Sequence, residues 1–293
     1  MINEIENQHP VLLCGPTASG KSNLALKLAK KINGIIINAD ALQIYDKWKV
    51  LTARPTKMDE DQIQHFLYGT VSIFDRYSVG NWLSDVQNIL NQNKGTPMII
   101  VGGTGLYFTS LINGLTDIPK IDISVRQNIN SWYLSDGIEK LSVWLENHDP
   151  KTYEKIDNHN PARILRAVEV LHQTGIGLSD WHKKTPKPLI SFKPQNSFVM
   201  NIEVDRLNER ISRRFENMVK NGALEEVKDN RLNWSATLPG FQAIGAKQLL
   251  DYVNNEISLK EAIDTSIIRT RQYAKRQRTW FRSKMKNWTE LSN

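Results

Sequence analysis

One stretch, VLLCGPTASGKSNLALKLAKKI at residues 11–32, constrains the fold more than any other part of the chain. An apolar run over residues 11–15 ends in a glycine, and after Ser22 a helix-spaced segment carries Leu24, Leu28 and Ile32 on one face. Between them, Gly15-Pro16-Thr17-Ala18-Ser19-Gly20-Lys21-Ser22 satisfies G-x-x-x-x-G-K-[ST] at every fixed position. The glycines let backbone N–H groups turn inward on an anion, and the following helix offers its positive N-terminus. Lys21 adds a point charge, and the Ser22 hydroxyl can ligate a Mg²⁺ that also touches the phosphates. The spacing predicts a strand, a phosphate cradle and a helix. It identifies phosphate, not a particular nucleotide.

The strand–helix alternation continues. Residues 35–38, IIIN, read as a second buried strand that runs out at Asp40, and residues 97–103, PMIIVGG, as a third. Residues 81–91 and 106–112 have helical spacing, while 62–73 fit neither period. This order predicts an α/β fold: a P-loop NTPase-like parallel sheet core with covering helices. From residue 121 to about residue 185 no strand pattern occurs, and helical patterns cover 125–134, 138–145 and 163–174. A Pro/Lys-rich connector at 183–195 leads to a returning strand at 197–204, after which the chain reads as helical almost to its end. The expected organisation is a discontinuous core, 1–120 and 190–293, with a helical insertion domain at 121–189 and a helical C-terminal part.

Composition removes several classes. One cysteine among 293 residues, Cys14, excludes an intrachain disulfide framework and a Cys-rich zinc site. It falls in an apolar strand and reads as an inert buried thiol. The opening MINEIENQHP is neither a signal nor a transit peptide, and no run approaches the roughly 18 apolar residues of a membrane span. The reading is a soluble, cytoplasmic protein with no membrane partner. The net charge of +7 is modest, but its distribution is not: residues 269–288 hold eight Lys/Arg and no Asp/Glu. On a helix, Arg271, Lys275, Arg278 and Arg282 form one basic stripe, suited to a phosphate backbone. Tyr273, Trp280, Phe281 and Trp288 interleave with it. The pattern leaves open whether Trp280 and Phe281 stack on bases or fill the core.

The third strand ends in Gly102-Gly103-Thr104-Gly105, without the acid that a nucleoside triphosphatase normally places there. Asp40 is the acid that remains at the sheet's C-terminal edge, where ligands of open α/β sheets bind. Its carboxylate suits magnesium binding or proton acceptance, and Thr104 supplies a hydroxyl beside it; capping is the alternative for each. Arg210 and Arg214 stand one turn apart, placed to reach a polyphosphate together or to pair on the surface. The six histidines have no metal-ligand spacing. The residues alone leave three readings: a transferase, an ATP-dependent nucleoside or small-molecule kinase, and a non-catalytic RNA-binding protein with a relic P-loop.

Taken together, GPTASGKS, NADALQIY, TARPT, VGGTGLYF, NPARILRAVEV, RISRRFENMVKNG and TRQYAKRQRTWFR, in this order, resemble the tRNA dimethylallyltransferase (tRNA isopentenyltransferase) family of bacterial type. The resemblance spans nearly the whole chain. It implies that the cradle, Gly15 to Ser22 with Arg210 and Arg214, holds the diphosphate of dimethylallyl diphosphate, with Ser22 binding Mg²⁺. It further implies transfer of the five-carbon group to N6 of adenosine 37 in tRNAs reading codons that begin with U. Asp40 would then be the general base and Thr104 its support. By the same resemblance the tRNA anticodon stem-loop meets Asp40, Ala41, Leu42, Gln43 and Thr104 at the site, and Arg126, Ala162, Arg163, Ile164, Leu165 and Arg166 in the insertion. It also meets Gln242, Gly245 and Lys247, and the run Lys275, Arg276, Gln277, Arg278, Thr279, Trp280, Phe281 and Arg282. The family is monomeric, and its members take the target base out of its stack. The chain departs from the pattern at Ala41, where serine is common, and at Ala246, where tyrosine is common.

Overall fold

A computed structural model describes residue 6 and residues 9–292. The reading of the first ten residues therefore falls largely outside the described residues. Six strands, β1 (Val11–Cys14), β2 (Ile35–Asn38), β3 (His65–Phe66), β4 (Met98–Gly102), β5 (Ser197–Asn201) and β6 (Thr289–Ser292), form one parallel sheet in the order β3-β2-β4-β1-β5-β6. The helices are α1 (Lys21–Ile32), α2 (Lys57–Glu60), α3 (Val79–Gln92), α4 (Gly105–Asn113), α5 (Ile123–His148), α6 (Pro150–Tyr153), α7 (Pro161–Thr174), α8 (Leu178–His182), α9 (Val204–Met218), α10 (Leu224–Asn230), α11 (Ala246–Val253) and α12 (Leu259–Lys284). This is the expected α/β architecture.

Every residue of β1, β2 and β4 is buried. That is why these strands read as continuous apolar runs: helices cover both faces of a parallel sheet. The register sets the site. Cys14 lies opposite Gly102, and Asn38 opposite Val101, so β2, β4 and β1 end almost level. The turns that leave them carry Asp40, Gly103–Thr104 and the cradle, in that spatial order.

Two strands escaped the sequence pattern. β3 is a pair of residues inside the segment that fitted neither period. β6 is TELS, a half-exposed edge strand that pairs with β5 just beyond the stretch expected to be helical. Both are edges, too short or too polar for the alternation to show. The break between the expected helices at 125–134 and 138–145 is real but local: α5 runs through it, with Gly137 at φ 80, ψ 172.

The chain divides into two compact units. The larger comprises the chain up to Ile112 and from Leu189 onward. It contains the sheet and a second, helical core with Trp48, Ile211, Phe215, Phe241 and Leu249. The buried Trp48 indole donates to the Gly240 carbonyl at 2.6 Å. Leu207, Ile211, Phe215 and Met218 form the buried stripe of α9. The second unit, Asn113–Pro188, is helical. There α5 packs on α7 through Leu141, Leu145, Ile164 and Val168. Asn160 caps α7 by accepting from Ala162 N–H at 3.1 Å, with Pro161 in the first turn, where its missing N–H costs nothing.

Candidate functional site

The cradle is shaped by its own backbone. Gly20 is left-handed (φ 91), and so is Ala18 (φ 62), a conformation that costs a non-glycine residue about 1–2 kcal/mol. Such strain is typical of ligand clamps. The first bond of α1 runs from Leu24 N–H to Gly20 C=O at 3.2 Å. Lys21, Ser22 and Asn23 N–H therefore have no acceptor within the helix and point at whatever sits in the loop. Lys21 Nζ rests against the Pro16 carbonyl at 3.3 Å. Burial pulls its pKa down to about 8; Asp40 pulls it up and Arg214 down. Without an anion, Lys21 is a cation short of partners.

Arg210 and Arg214 leave α9 toward the same loop. Arg210 Nη1 donates to Ser19 O at 3.3 Å, and Arg214 Nη1 to Thr17 Oγ1 at 3.1 Å. Burial lowers the pKa of Arg214, against the pull of Asp40. Thr17, Ala18, Gly20, Lys21, Ser22, Asp40, Leu42, Gln43, Arg54, Arg210, Arg214 and Tyr273 are among the residues that line one cavity of about 440 Å³. A second, of about 620 Å³, shares Arg54, Arg210 and Arg214 and adds Lys49 and Arg213, with no acid on its wall. Cations this dense suit a polyanion.

Asp40 is held by a tight turn. Its N–H donates to Asn38 Oδ1 at 2.8 Å, and its Oδ1 accepts from Leu42 N–H at 3.0 Å. Thr104 ties this turn to the end of β4: its N–H donates to Ala39 O at 3.1 Å and its Oγ1 accepts from Ala41 N–H at 2.9 Å. Ala41 thus contributes a backbone group. At Gly103 a Cβ would come within 2.2 Å of Gln277 Nε2 and 3.3 Å of Asp40 Oδ2. Gly103→Ala is therefore expected to cost about 1–3 kcal/mol of stability by overpacking and to lower turnover by displacing Asp40. Thermal denaturation and steady-state rates check both.

The other expected residues fall into four groups. Gln43 lines the cavity but its amide is engaged, donating to Thr52 O at 2.8 Å and Ala53 O at 3.0 Å. Gly245 is buried and left-handed (φ 98) at the start of α11, next to the fully buried Ala246; Lys247 is exposed and pairs with Asp251. Gln242 is exposed and donates to Ala236 O at 2.7 Å. On α12, Lys275, Arg276, Thr279 and Arg282 are exposed, Arg278 and Trp280 half-buried, and Gln277 and Phe281 buried. Phe281 belongs to the core beside the sheet, and the half-buried Trp280 packs against that core. In the second unit, Ala162 and Arg163 are exposed on the first turn of α7, Leu165 is half-buried and Ile164 fills the core. Arg126 and Arg166 share Glu169, at 3.4 and 3.7 Å. The side chains of Ile164 and Phe281 are thus committed to packing.

Two wall residues carried no sequence expectation. Arg54 lies in the TARPT segment; its Nη1 donates to Tyr45 O at 2.9 Å and Asp46 O at 3.2 Å. Tyr273, beside Asp40 and Thr104, is pushed up in pKa, first by burial and then by Asp40. Both lie in segments that carry the family resemblance, TARPT and TRQYAKRQRTWFR, but without an assigned role there, and only the fold brings them to the cavity. Among the described residues no cluster of three or more His, Cys, Asp or Glu could hold a metal, and no helix is long and apolar enough to cross a membrane.

A family model described as IPP transferase matches residues 43–284. The tRNA dimethylallyltransferase of Cereibacter sphaeroides (strain ATCC 17025 / ATH 2.4.3) is 45% identical over 287 residues, covering 98% of this chain and 97% of its own. That of Ruegeria sp. (strain TM1040) is 46% identical over 292 residues, covering 99% and 98%. Among solved structures, the full-length tRNA isopentenylpyrophosphate transferase from Bacillus halodurans aligns with a TM-score of 0.67 at 32% identity, over 97% of this chain and 90% of its own. A eukaryotic dimethylallyltransferase acting on tRNA shares the fold with a TM-score of 0.81 at 24% identity, over 97% of this chain and 74% of its own.

Proposed function

The chain belongs to the IPP transferase family, whose curated members are tRNA dimethylallyltransferases, and from this premise we propose that it transfers a dimethylallyl group from dimethylallyl diphosphate to N6 of adenosine 37 in tRNAs reading codons that begin with U. The products are N6-isopentenyladenosine and diphosphate. The observation that carries the reading is one cavity that holds an anion cradle, three arginines (Arg54, Arg210 and Arg214) and the Asp40 carboxylate, with Asp59 also on its wall. The acid-free basic run at 269–288 and the helical unit exceed what a small substrate needs, which weighs against a kinase.

The chemistry follows from the geometry. The allylic C–O bond breaks and its electron pair leaves with diphosphate. Lys21, the N–H groups at the start of α1, Arg210 and Arg214 take up the charge that builds there, and preorganised donors of this kind supply the largest single term in such catalysis. The adenine amine is a weak nucleophile because its lone pair is delocalised into the ring. As the new N–C bond forms, Asp40 accepts the proton from N6. The turn bonds from Asn38 and Leu42 fix where the carboxylate points, and Thr104 holds that turn to β4.

A Mg²⁺ ion fits the donor set. Ser22 and Asp40 offer hard oxygens on one cavity wall, and an octahedral ion that keeps water and substrate oxygens needs only one or two protein ligands. Held by Ser22, it would supply positive charge to neutralise the leaving group. RNA binding falls to the exposed basic residues of α12, to Gln242 and Lys247, and to Arg126, Ala162, Arg163 and Arg166 of the helical unit, which would grip the anticodon stem-loop. All catalytic residues come from one unit of one chain, which fits a monomer working in the cytoplasm where tRNA is modified.

The test mixes the protein with Mg²⁺, dimethylallyl diphosphate and an unmodified anticodon stem-loop carrying A36-A37-A38, without nucleotide, and weighs the RNA. A gain of one five-carbon unit that an A37→G loop abolishes supports the reading. No gain, with ATP turned over in a parallel tube, replaces it with the kinase. A pH dependence is also expected. Lys21 in the free enzyme loses its proton above about pH 8, so kcat/KM for the diphosphate substrate should fall above that pH. The kcat limb should lie higher, because bound diphosphate holds the proton on.

A further inference from the structure

The amide of Gln277 joins two loops that the chemistry needs in register. Its Oε1 accepts from Thr17 N–H in the cradle at 2.8 Å, and its Nε2 donates to Gly103 O after β4 at 2.9 Å. The residue is 5% exposed, so water does not compete for either bond. A primary amide carries a donor and an acceptor on one short planar head, with no charge to desolvate. Gly103 allows the approach, since a Cβ there would come within 2.2 Å of Nε2.

The neighbours of Gln277 on α12 make the same contact. Tyr273, one turn before it, lies close enough to Thr104 and Gln277 for their side chains to act on its hydroxyl. Trp280, one turn after it, covers Gly105, where a Cβ would lie 2.2 Å from the indole Cδ1. Residues at this spacing share one helix face. The face is therefore moulded to the turn 103–105, the same turn whose Thr104 holds Asp40. The exposed Arg271, Lys275 and Arg282 lie on the other side of the helix, while Arg276 packs over the Tyr273 ring.

We propose that Gln277 is a positioning residue for transfer: it sets the spacing between the diphosphate cradle and the Asp40 turn, and does not read RNA. One end of the reaction is held by the cradle and the other by Asp40, so the attacking nitrogen and the allylic carbon meet only if the two loops keep their spacing. A displacement of about 1 Å in such an arrangement can cost about 10²-fold in rate. The inference rests on the transferase reading of the site.

The test is Gln277→Met, which keeps the volume and loses both bonds, alongside Gln277→Glu, which sets a carboxylate oxygen against the Gly103 carbonyl. The full chain is assayed by RNA mass shift under the conditions above. Gln277→Met should lower kcat by about 10- to 100-fold, with KM for dimethylallyl diphosphate and the Kd for the stem-loop each within about threefold of wild type. Gln277→Glu should lose at least as much. If Gln277→Met keeps kcat within about twofold, or if stem-loop affinity falls as far as kcat, the proposal is overturned, the second result assigning Gln277 to RNA. Thermal denaturation identifies a variant that fails to fold; the decision then rests on Gln277→Asn, which keeps the amide but is one methylene too short to span both loops and should show the same split. Wild-type protein that gives no product refutes the transferase reading itself, a result distinct from all of these.

Discussion

Asp40→Asn is expected to slow transfer by about 10²- to 10⁴-fold, the usual contribution of a general base, with stem-loop affinity within about threefold of wild type. Asparagine is the informative replacement. Asp40 Oδ1 accepts from Leu42 N–H, and the asparagine carbonyl can keep that bond and so the turn. Alanine would remove it and mix a loss of chemistry with a loss of structure. The other carboxylate oxygen, on the Gly103 side, becomes an NH₂ group that repels a proton. Single-turnover rates with saturating RNA isolate the step, and fluorescence anisotropy of a labelled stem-loop gives the affinity. If rate and affinity fall together, Asp40 shapes the RNA site and the base must be sought elsewhere.

What was legible in the sequence was local. The cradle follows from glycines and a lysine within eight consecutive positions, because loop shape and helix start are set by neighbours in the chain. Asp40 was legible because IIIN ends at it and strand ends are where such folds bind ligands. What could not be read is what distant segments do to each other. Gln277 meets Thr17 across 260 positions, and nothing in TRQYAKRQRTWFR says which side chains face the sheet. The basic stripe fitted a solvated face and an RNA face equally well; packing resolved only Phe281, which lies in the core. β6 was missed because TELS at an edge needs no apolar alternation to pair with β5. Glu226 is a case of the same kind: its carboxylate collects Lys49, Val50 and Leu51 N–H at 2.8, 2.6 and 3.0 Å, closing the loop that leads to Arg54. Its place in α10 gives no hint of that.

Lys21→Met is expected to lower kcat/KM for dimethylallyl diphosphate by about 10³-fold or more. Loss of a single neutral donor to a developing anion already costs about 10²–10³, and here a full charge is removed beside the cradle. Part of the loss should appear in KM, since Lys21 also holds the ground-state diphosphate, and stem-loop affinity should stay level. The fall in kcat/KM above about pH 8 should vanish in the variant, because the group that titrates there is gone. Folding supplies an independent check. The Lys21 pKa is lowered in the folded protein from 10.5 to about 8. Between those values the unfolded chain binds the extra proton, so stability of the wild type should rise as pH increases from about 8 to about 10.5 and be lost again as pH falls through 8. Lys21→Met should lack that rise and be at least as stable as wild type at neutral pH, because it no longer buries a charge. A variant both inactive and unimpaired in folding would separate the lysine's catalytic role from any part in holding the loop. One that melts early would show that the contact between Nζ and the Pro16 carbonyl matters more to the cradle than the charge does.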